Sequence, residues 1–232
     1  IEYGADHTLK VTPTSCDLKK YPFLIEDYAF KVCRIEPENN VHMVLEAFNK
    51  VPNKKLVMVG NWSVSEYGKN LKTKYSSVPN IILYDPIYDQ RSIDILRSNA
   101  AVYVHGHSAG GTNPSLVEAM YLGLPVISYG VSYNRTTTEG KAIYFKTEED
   151  LIDLILTNNP ETLKKMGQTM KSIAKRRYVW DLVANKYRTL IKESLTVGKK
   201  QHIVPKASYV TPEVLDSLDL GHLKSSKLIF EK

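Results

Sequence analysis

Residues 100–128 read "AAVYVHGHSAGGTNPSLVEAMYLGLPVIS". A short β-branched and aromatic run at 100–105 leads through a glycine-rich loop into a helical stretch. A second short apolar run closes it at 125–128. Runs this short, bounded by Gly, Pro and Asn, read as buried strands and not as helices. Asn113 stands where a helix needs its cap, and Pro114 suits the first helical position, where no backbone N–H is required. Strand, helix and strand at this pitch form a parallel crossover unit.

The same alternation extends to both sides. "YAFKVCR" (28–34), "KLVMVG" (55–60), "NIILY" (80–84) and "AIYF" (142–145) supply further strands. Between them, "EPENNVHMVLEAFNKV" sets Val41, Val44, Leu45 and Phe48 on one helical face. "SEYGKNLKTKYSS" and "DQRSIDILRSN" continue the pattern. Repeated units with right-handed crossovers predict an α/β, doubly wound parallel sheet of Rossmann-like type. After residue 146 the chain reads as helical: "TEEDLIDLILTN", "PETLKKMGQTMKSIAKRRY" and "VWDLVANKYRTLIKESL". Acidic residues 148–150 open the first of these and Lys175, Arg176 and Arg177 close the second, both in accord with the helix dipole. Residues 196–232 lose the pattern apart from a short helix expected at 211–219.

A chain of 232 residues with 43% hydrophobic and 24% charged residues has the make-up of a globular protein with a sizeable core. Its net charge of +6 favours an anionic partner, but no Lys/Arg stripe interleaved with aromatics argues for nucleic acid. Two cysteines, Cys16 and Cys33, make no disulfide framework, and Cys33 reads as a buried thiol in a reducing compartment. No run reaches the length of a membrane span, and no leader is recognisable. The opening "IEYGAD" looks like the end of an already folded unit, so the chain is expected to be a fragment.

In a doubly wound sheet, ligands bind beyond the carboxyl ends of the strands. The loop 105–113, "HGHSAGGTN", is the richest there. Gly110 and Gly111 admit close approach to the backbone, and the helix start behind them offers free amides to a phosphate. A tight turn without a ligand is the alternative. A Walker-type loop is excluded, because no Lys-Ser/Thr pair follows the glycines. Arg34, at the end of the first core strand, would offer a fork of donors to phosphate oxygens, or else pair with Glu36 or Glu38. His105 and His107 lack a third metal ligand at useful spacing and read as polar lining. Glu118 stands among apolar neighbours one turn into the helix; it must pair with a cation, face water or accept hydroxyls from a ligand.

These stretches, "RIEPENNVHMVLEAF", "KLVMVGN" and "GGTNPSLVEAMYLGLPVIS", together resemble the C-terminal, donor-binding domain of retaining GT4-type glycosyltransferases of GT-B fold. The likeness is greatest to the bacterial rhamnosyltransferase-like group that builds surface polysaccharides, and it covers roughly residues 28–195. The resemblance implies a remnant of the N-terminal domain and linker at 1–27, a donor-binding domain at 28–195 and a tail at 196–232. It implies that Arg34 contacts the diphosphate of a nucleotide sugar. The family's usual Lys five residues later is Asn39 here. It implies that Glu118 accepts from the ribose, and that "DPIY", with Pro86 and Ile87, lies by the base. The first of the family's two glutamates falls on Gly110, which removes the usual reader of the hexose hydroxyls. Donor-site candidates are thus Arg34, Asn39, Gly60, Pro86, Ile87, Gly110, Gly111, Thr112, Asn113, Ser115 and Glu118, with no catalytic residue assigned.

The implied function is transfer of a sugar, with rhamnose on dTDP as the fit to that group, to a saccharide or lipid-linked acceptor, with retention. No metal or other cofactor is expected. The implied partners are a nucleotide diphosphate sugar and an N-terminal acceptor-binding domain, with room for peripheral contact at the inner face of the membrane, a cytoplasmic location and no nucleic acid. A non-catalytic nucleotide-binding module and a GT-B nucleotide-sugar epimerase are the alternatives. The fragment by itself is expected to bind nucleotide diphosphate weakly and to turn over poorly.

Overall fold

The computed structural model describes residues 2–196. The chain begins with a capped helix, α1 (Ser15–Lys20), and a 3-10 turn at Pro22–Ile25. It then alternates through β1 (Tyr28–Val32), α2 (Val41–Asn49), β2 (Lys55–Val59), α3 (Glu66–Tyr75), β3 (Ile81–Tyr84) and α4 (Gln90–Ser98). The second half runs through β4 (Val102–His105), α5 (Pro114–Leu122), β5 (Val126–Tyr129), α6 (Ser132–Thr137) and β6 (Ile143–Phe145). Three helices follow, α7 (Glu148–Thr157), α8 (Pro160–Arg177) and α9 (Trp180–Thr196).

The six strands are parallel and ordered β3-β2-β1-β4-β5-β6. This is the doubly wound arrangement expected from the alternation, and the winding reverses between β1 and β4. Successive residues of β1 feed opposite layers. Tyr28 and Phe30 enter a core with α4, α5 and α8, while Ala29 enters one with α2, α3 and α7. The predicted α2 face is buried in full: Val41, Val44, Leu45 and Phe48 are each no more than 1% exposed. Truncating Phe48 to alanine there would cost about 3–5 kcal/mol.

Contacts group Glu2–Trp180 into one compact unit, and a second begins at Asp181. Residues 2–27, expected as a remnant and linker, therefore fold with the sheet. Ala5, Tyr21, Phe23 and Leu24 are buried in the same core as Tyr28, which gives the segment its hold. Of the second unit, the described part is the rest of α9, where Tyr187, Leu190, Ile191 and Leu195 are exposed. The tail at 197–232 and its expected helix at 211–219 lie outside the described residues. Cys16 is exposed and Cys33, expected to be buried, is only partly so at the mouth of β1; both are free. Among the described residues no helix is long and apolar enough to cross a membrane.

Candidate functional site

The loops after β1 and β4 meet where the winding reverses, and hydrogen bonds sew them together. Asn40 donates from Nδ2 to the Gly106 carbonyl at 2.8 Å. Ser108 donates its amide and its hydroxyl to the Glu38 carbonyl, at 2.7 and 2.9 Å. Asn40 holds φ at 47°, a left-handed conformation asparagine tolerates, and so turns the chain from the loop into α2.

Beyond this seam the chain rises into the glycine loop. Gly110 adopts φ +126°, a region strained for residues with a side chain, and open space surrounds both Gly110 and Gly111. Asn113 caps α5 as expected, its Oδ1 accepting from the Ser115 amide at 3.1 Å and the Ser115 hydroxyl at 2.7 Å. Ser115 Oγ in turn accepts from the Tyr103 hydroxyl at 2.8 Å, so Ser115 is engaged in shaping the helix start. Among the described residues, the amides of Gly111 and Thr112 donate to no protein acceptor. An open glycine loop, two free loop amides and the positive end of a helix dipole are elements that can receive an anion.

Arg34 stands at the rim of β1 with its side chain 79% exposed, paired with Glu36 at 3.4 Å. An exposed pair of this kind is worth little, so the guanidinium can turn to a ligand at small cost. Asn39 behaves otherwise. It is 1% exposed, and its Nδ2 donates to the Arg34 carbonyl at 2.7 Å. Asn39 therefore shapes the arginine loop from within instead of standing in for a lysine at the ligand.

Gly60 is also internal. A methyl group there would lie 2.7 Å from the Cys33 carbonyl oxygen, a backbone atom, and 2.3 Å from Ile35 Cδ1, so close packing favours a glycine. Its amide donates to the Tyr84 carbonyl. The segment after β3 is anchored by Lys72, whose ammonium meets Asp85 at 2.7 Å. Pro86 and Ile87 are half-buried, with Ile87 packed on the core.

Glu118 is 15% exposed and already has partners. Arg97 on α4 places Nη2 2.6 Å from Oε2, and His7 places Nε2 3.1 Å from Oε1. Arg97 is itself 4% exposed and faces Asp94 at 3.6 Å. Of the three options open to a carboxylate in this setting, pairing with a cation is realised, with access left at the surface. His7 and Arg97 escaped the sequence reading. Asp94 and Arg97 share a helix face at three-residue spacing, a usable signal, whereas nothing near His7 marks it.

His105 and His107 are not open lining. Their rings stack at 4.3 Å and 8°, and both are buried. Lys31 on β1 is 0% exposed beside them, and among the described residues Nζ has no hydrogen-bond partner. Burial drives the Lys31 pKa down, and the His105 pKa far down, with His107 and Lys31 adding to the latter. Burial first, then Lys31 and Arg34, lower His107 to about 3. Burial thus disfavours the charged form of each of these groups under the loop seam.

Among the described residues no three His, Cys, Asp or Glu side chains gather as a metal site. A cavity of about 380 Å³ opens at the opposite, amino end of the strands, between Tyr28, Phe48, Val102, Ile127 and Leu154. It holds none of the candidate residues.

The Glycosyl transferases group 1 family model matches residues 20–172, more than half of the chain. No curated protein matches the sequence significantly. Solved structures share the fold. HepE from Anabaena, in complex with UDP-glucose, aligns at 17% identity over 82% of this chain and 56% of its own, with a TM-score of 0.69. Sucrose-phosphate synthase from Thermosynechococcus elongatus aligns at 17% identity over 79% of this chain and 49% of its own, with a TM-score of 0.67. This chain thus spans about half the length of either. The C-terminal domain of LpcC, a group 1 family protein from Francisella tularensis, is covered over 97% of its length by 74% of this chain, at 17% identity and a TM-score of 0.58. With its Rossmann-like sheet of GT-B type, the chain belongs to the glycosyl transferases group 1 family.

Proposed function

We propose that this chain is the donor-binding half of a sugar transferase, holding a nucleoside diphosphate sugar across the loops after β1, β3 and β4. The observation that carries the reading is the open glycine loop at 110–113, with free amides at Gly111 and Thr112 just before α5, reached by an exposed arginine at the end of β1. Two anchors of opposite character then fit one ligand. Cationic and N–H groups meet the diphosphate, and the Glu118 carboxylate meets the pentose hydroxyls. The complex of HepE with UDP-glucose supports a nucleotide-sugar ligand.

The chemistry proposed is retaining transfer. The bond from the anomeric carbon to the diphosphate oxygen breaks with its electron pair on the diphosphate. The acceptor oxygen bonds to that carbon from the same face, and its proton passes to the departing phosphate. Arg34 and the loop amides stabilise the charge that develops on the leaving group. No step is assigned to a metal. The resemblance to the GT4 rhamnosyltransferase-like group supports rhamnose as the sugar and a surface polysaccharide as the product. The acceptor would be held by an N-terminal domain, and the exposed lysines of α8 leave room for peripheral contact with acidic lipid.

Calorimetry with UDP, dTDP and GDP tests the reading. Micromolar to millimolar binding of at least one is expected, weakened about tenfold by Arg34→Ala, as the loss of a charge-assisted bond predicts. Absence of binding at millimolar concentration overturns it. A non-catalytic nucleotide module is the second reading, favoured by the internal placement of Asn39 and by Gly110. Turnover by the full-length protein with a nucleotide sugar and a lipid-linked acceptor separates the two.

A further inference from the structure

Residues 5–11 run across α4 and α5 before the first strand begins, tethered by a series of hydrogen bonds. The Ala5 amide donates to the Tyr178 carbonyl at 2.7 Å. The Leu9 amide donates to Asp94 Oδ2 at 3.1 Å, and the Val11 amide to Ser98 Oγ at 3.1 Å. His7 lies between these tethers, its Nε2 3.1 Å from Glu118 Oε1. On its other side, Trp180 donates from Nε1 to His7 Nδ1 at 3.3 Å. An indole nitrogen can only donate. His7 Nδ1 must therefore accept, and the proton of the neutral ring falls on Nε2, where it donates to Glu118. Arg97 Nη2 meets the second carboxylate oxygen at 2.6 Å.

Each oxygen of Glu118 thus has one fixed donor and retains further accepting capacity. Arg97, buried with Asp94 and Glu118, gives the carboxylate a counter-charge water does not screen. His7 sets the rotation of the carboxylate plane, since two donors on two oxygens leave it no free turn.

We propose that Arg97 and His7 are positioning residues for Glu118, holding its carboxylate oriented to accept the pentose hydroxyls of a nucleotide. The inference rests on the donor-site reading. It extends the site to the segment before the first strand, with Trp180 as the group that fixes the His7 tautomer. Neither residue touches the ligand; both act through Glu118.

The test compares affinities in the full-length protein for the tightest binder among UDP, GDP and dTDP and for its analogue without pentose hydroxyls. Wild type should prefer the hydroxylated nucleotide about tenfold. His7→Leu should reduce that preference about threefold while leaving the affinity for the deoxy analogue unchanged. His7→Gln, whose amide can donate to the carboxylate, should restore it, and Arg97→Lys should reduce it further. The proposal is overturned if wild type discriminates and His7→Leu and Arg97→Lys discriminate equally well, or if both nucleotides lose affinity in parallel. Wild type that binds nucleotide without discrimination would instead sink the role of Glu118. Failure to bind any nucleotide would sink the donor site itself.

Discussion

Lys31, His105 and His107 under the loop seam and Asp94, Arg97 and Glu118 on α4 and α5 are two buried ionisable clusters that meet burial in opposite ways. In the first, among the described residues, no carboxylate bonds any member, and burial lowers all three pKa values. In the second, one guanidinium stands between two carboxylates, 3.6 Å from Asp94 and 2.6 Å from Glu118. What separates them is the opposite charge within reach, not the depth of burial. Without a counter-ion, burial disfavours the charged form; with one in reach, the ion pair offsets that cost. Only the second kind of cluster can present a fixed anion to a ligand.

The comparison breaks most visibly at Arg97. Arg97→Met leaves two carboxylates without their cation and should destabilise the fold by about 3–5 kcal/mol, read from denaturant unfolding. A loss below about 1 kcal/mol would mean that the pairing is not what holds the cluster. Lys31→Met should act in the other direction. Removing a buried, partnerless amine for an apolar chain of similar length should stabilise by about 1–2 kcal/mol, seen as a higher melting temperature. Destabilisation there would show that the ammonium keeps its charge and a partner.

The smallest effect is a change in pH dependence at His107. Its folded pKa is about 3 against 6.5 for the free side chain. Between those values the unfolded chain binds a proton that the native state refuses, so stability falls as pH drops through the window. His107→Gln should lose about 1 kcal/mol less than wild type between about pH 7 and about pH 5.5. The groups facing His107 are His105, Lys31 and Arg34, and all three remain in the variant. An unchanged slope would mean that His107 is charged in the native protein.

The same contrast explains what could be read without coordinates. The strands at 28–34 and 100–105 and the cap at Asn113 are local patterns, fixed by side-chain period and turn chemistry, and they stand where expected. Arg34 was legible because the end of a central strand must face the crevice. Asn39 was not, because its amide turns inward to a carbonyl five residues back. Gly110 reads in sequence as a missing glutamate. Its φ of +126° adds that a side chain there would strain this loop conformation, although open space surrounds it. His105 and His107 look like lining in an alternating strand, yet the seam between the β1 and β4 loops covers them.

The sequence by itself determined the doubly wound sheet, the glycine loop leading into a capped helix and the position of Glu118 one turn inside it. Those depend on neighbours within a few residues, where periodicity and backbone sterics decide. The tertiary structure alone decided what Glu118 is bonded to. Arg97 comes from the preceding helix, and His7 lies 111 residues away in the chain. Partners that distant are chosen by how the layers pack, and a pattern read along one segment carries no record of that choice.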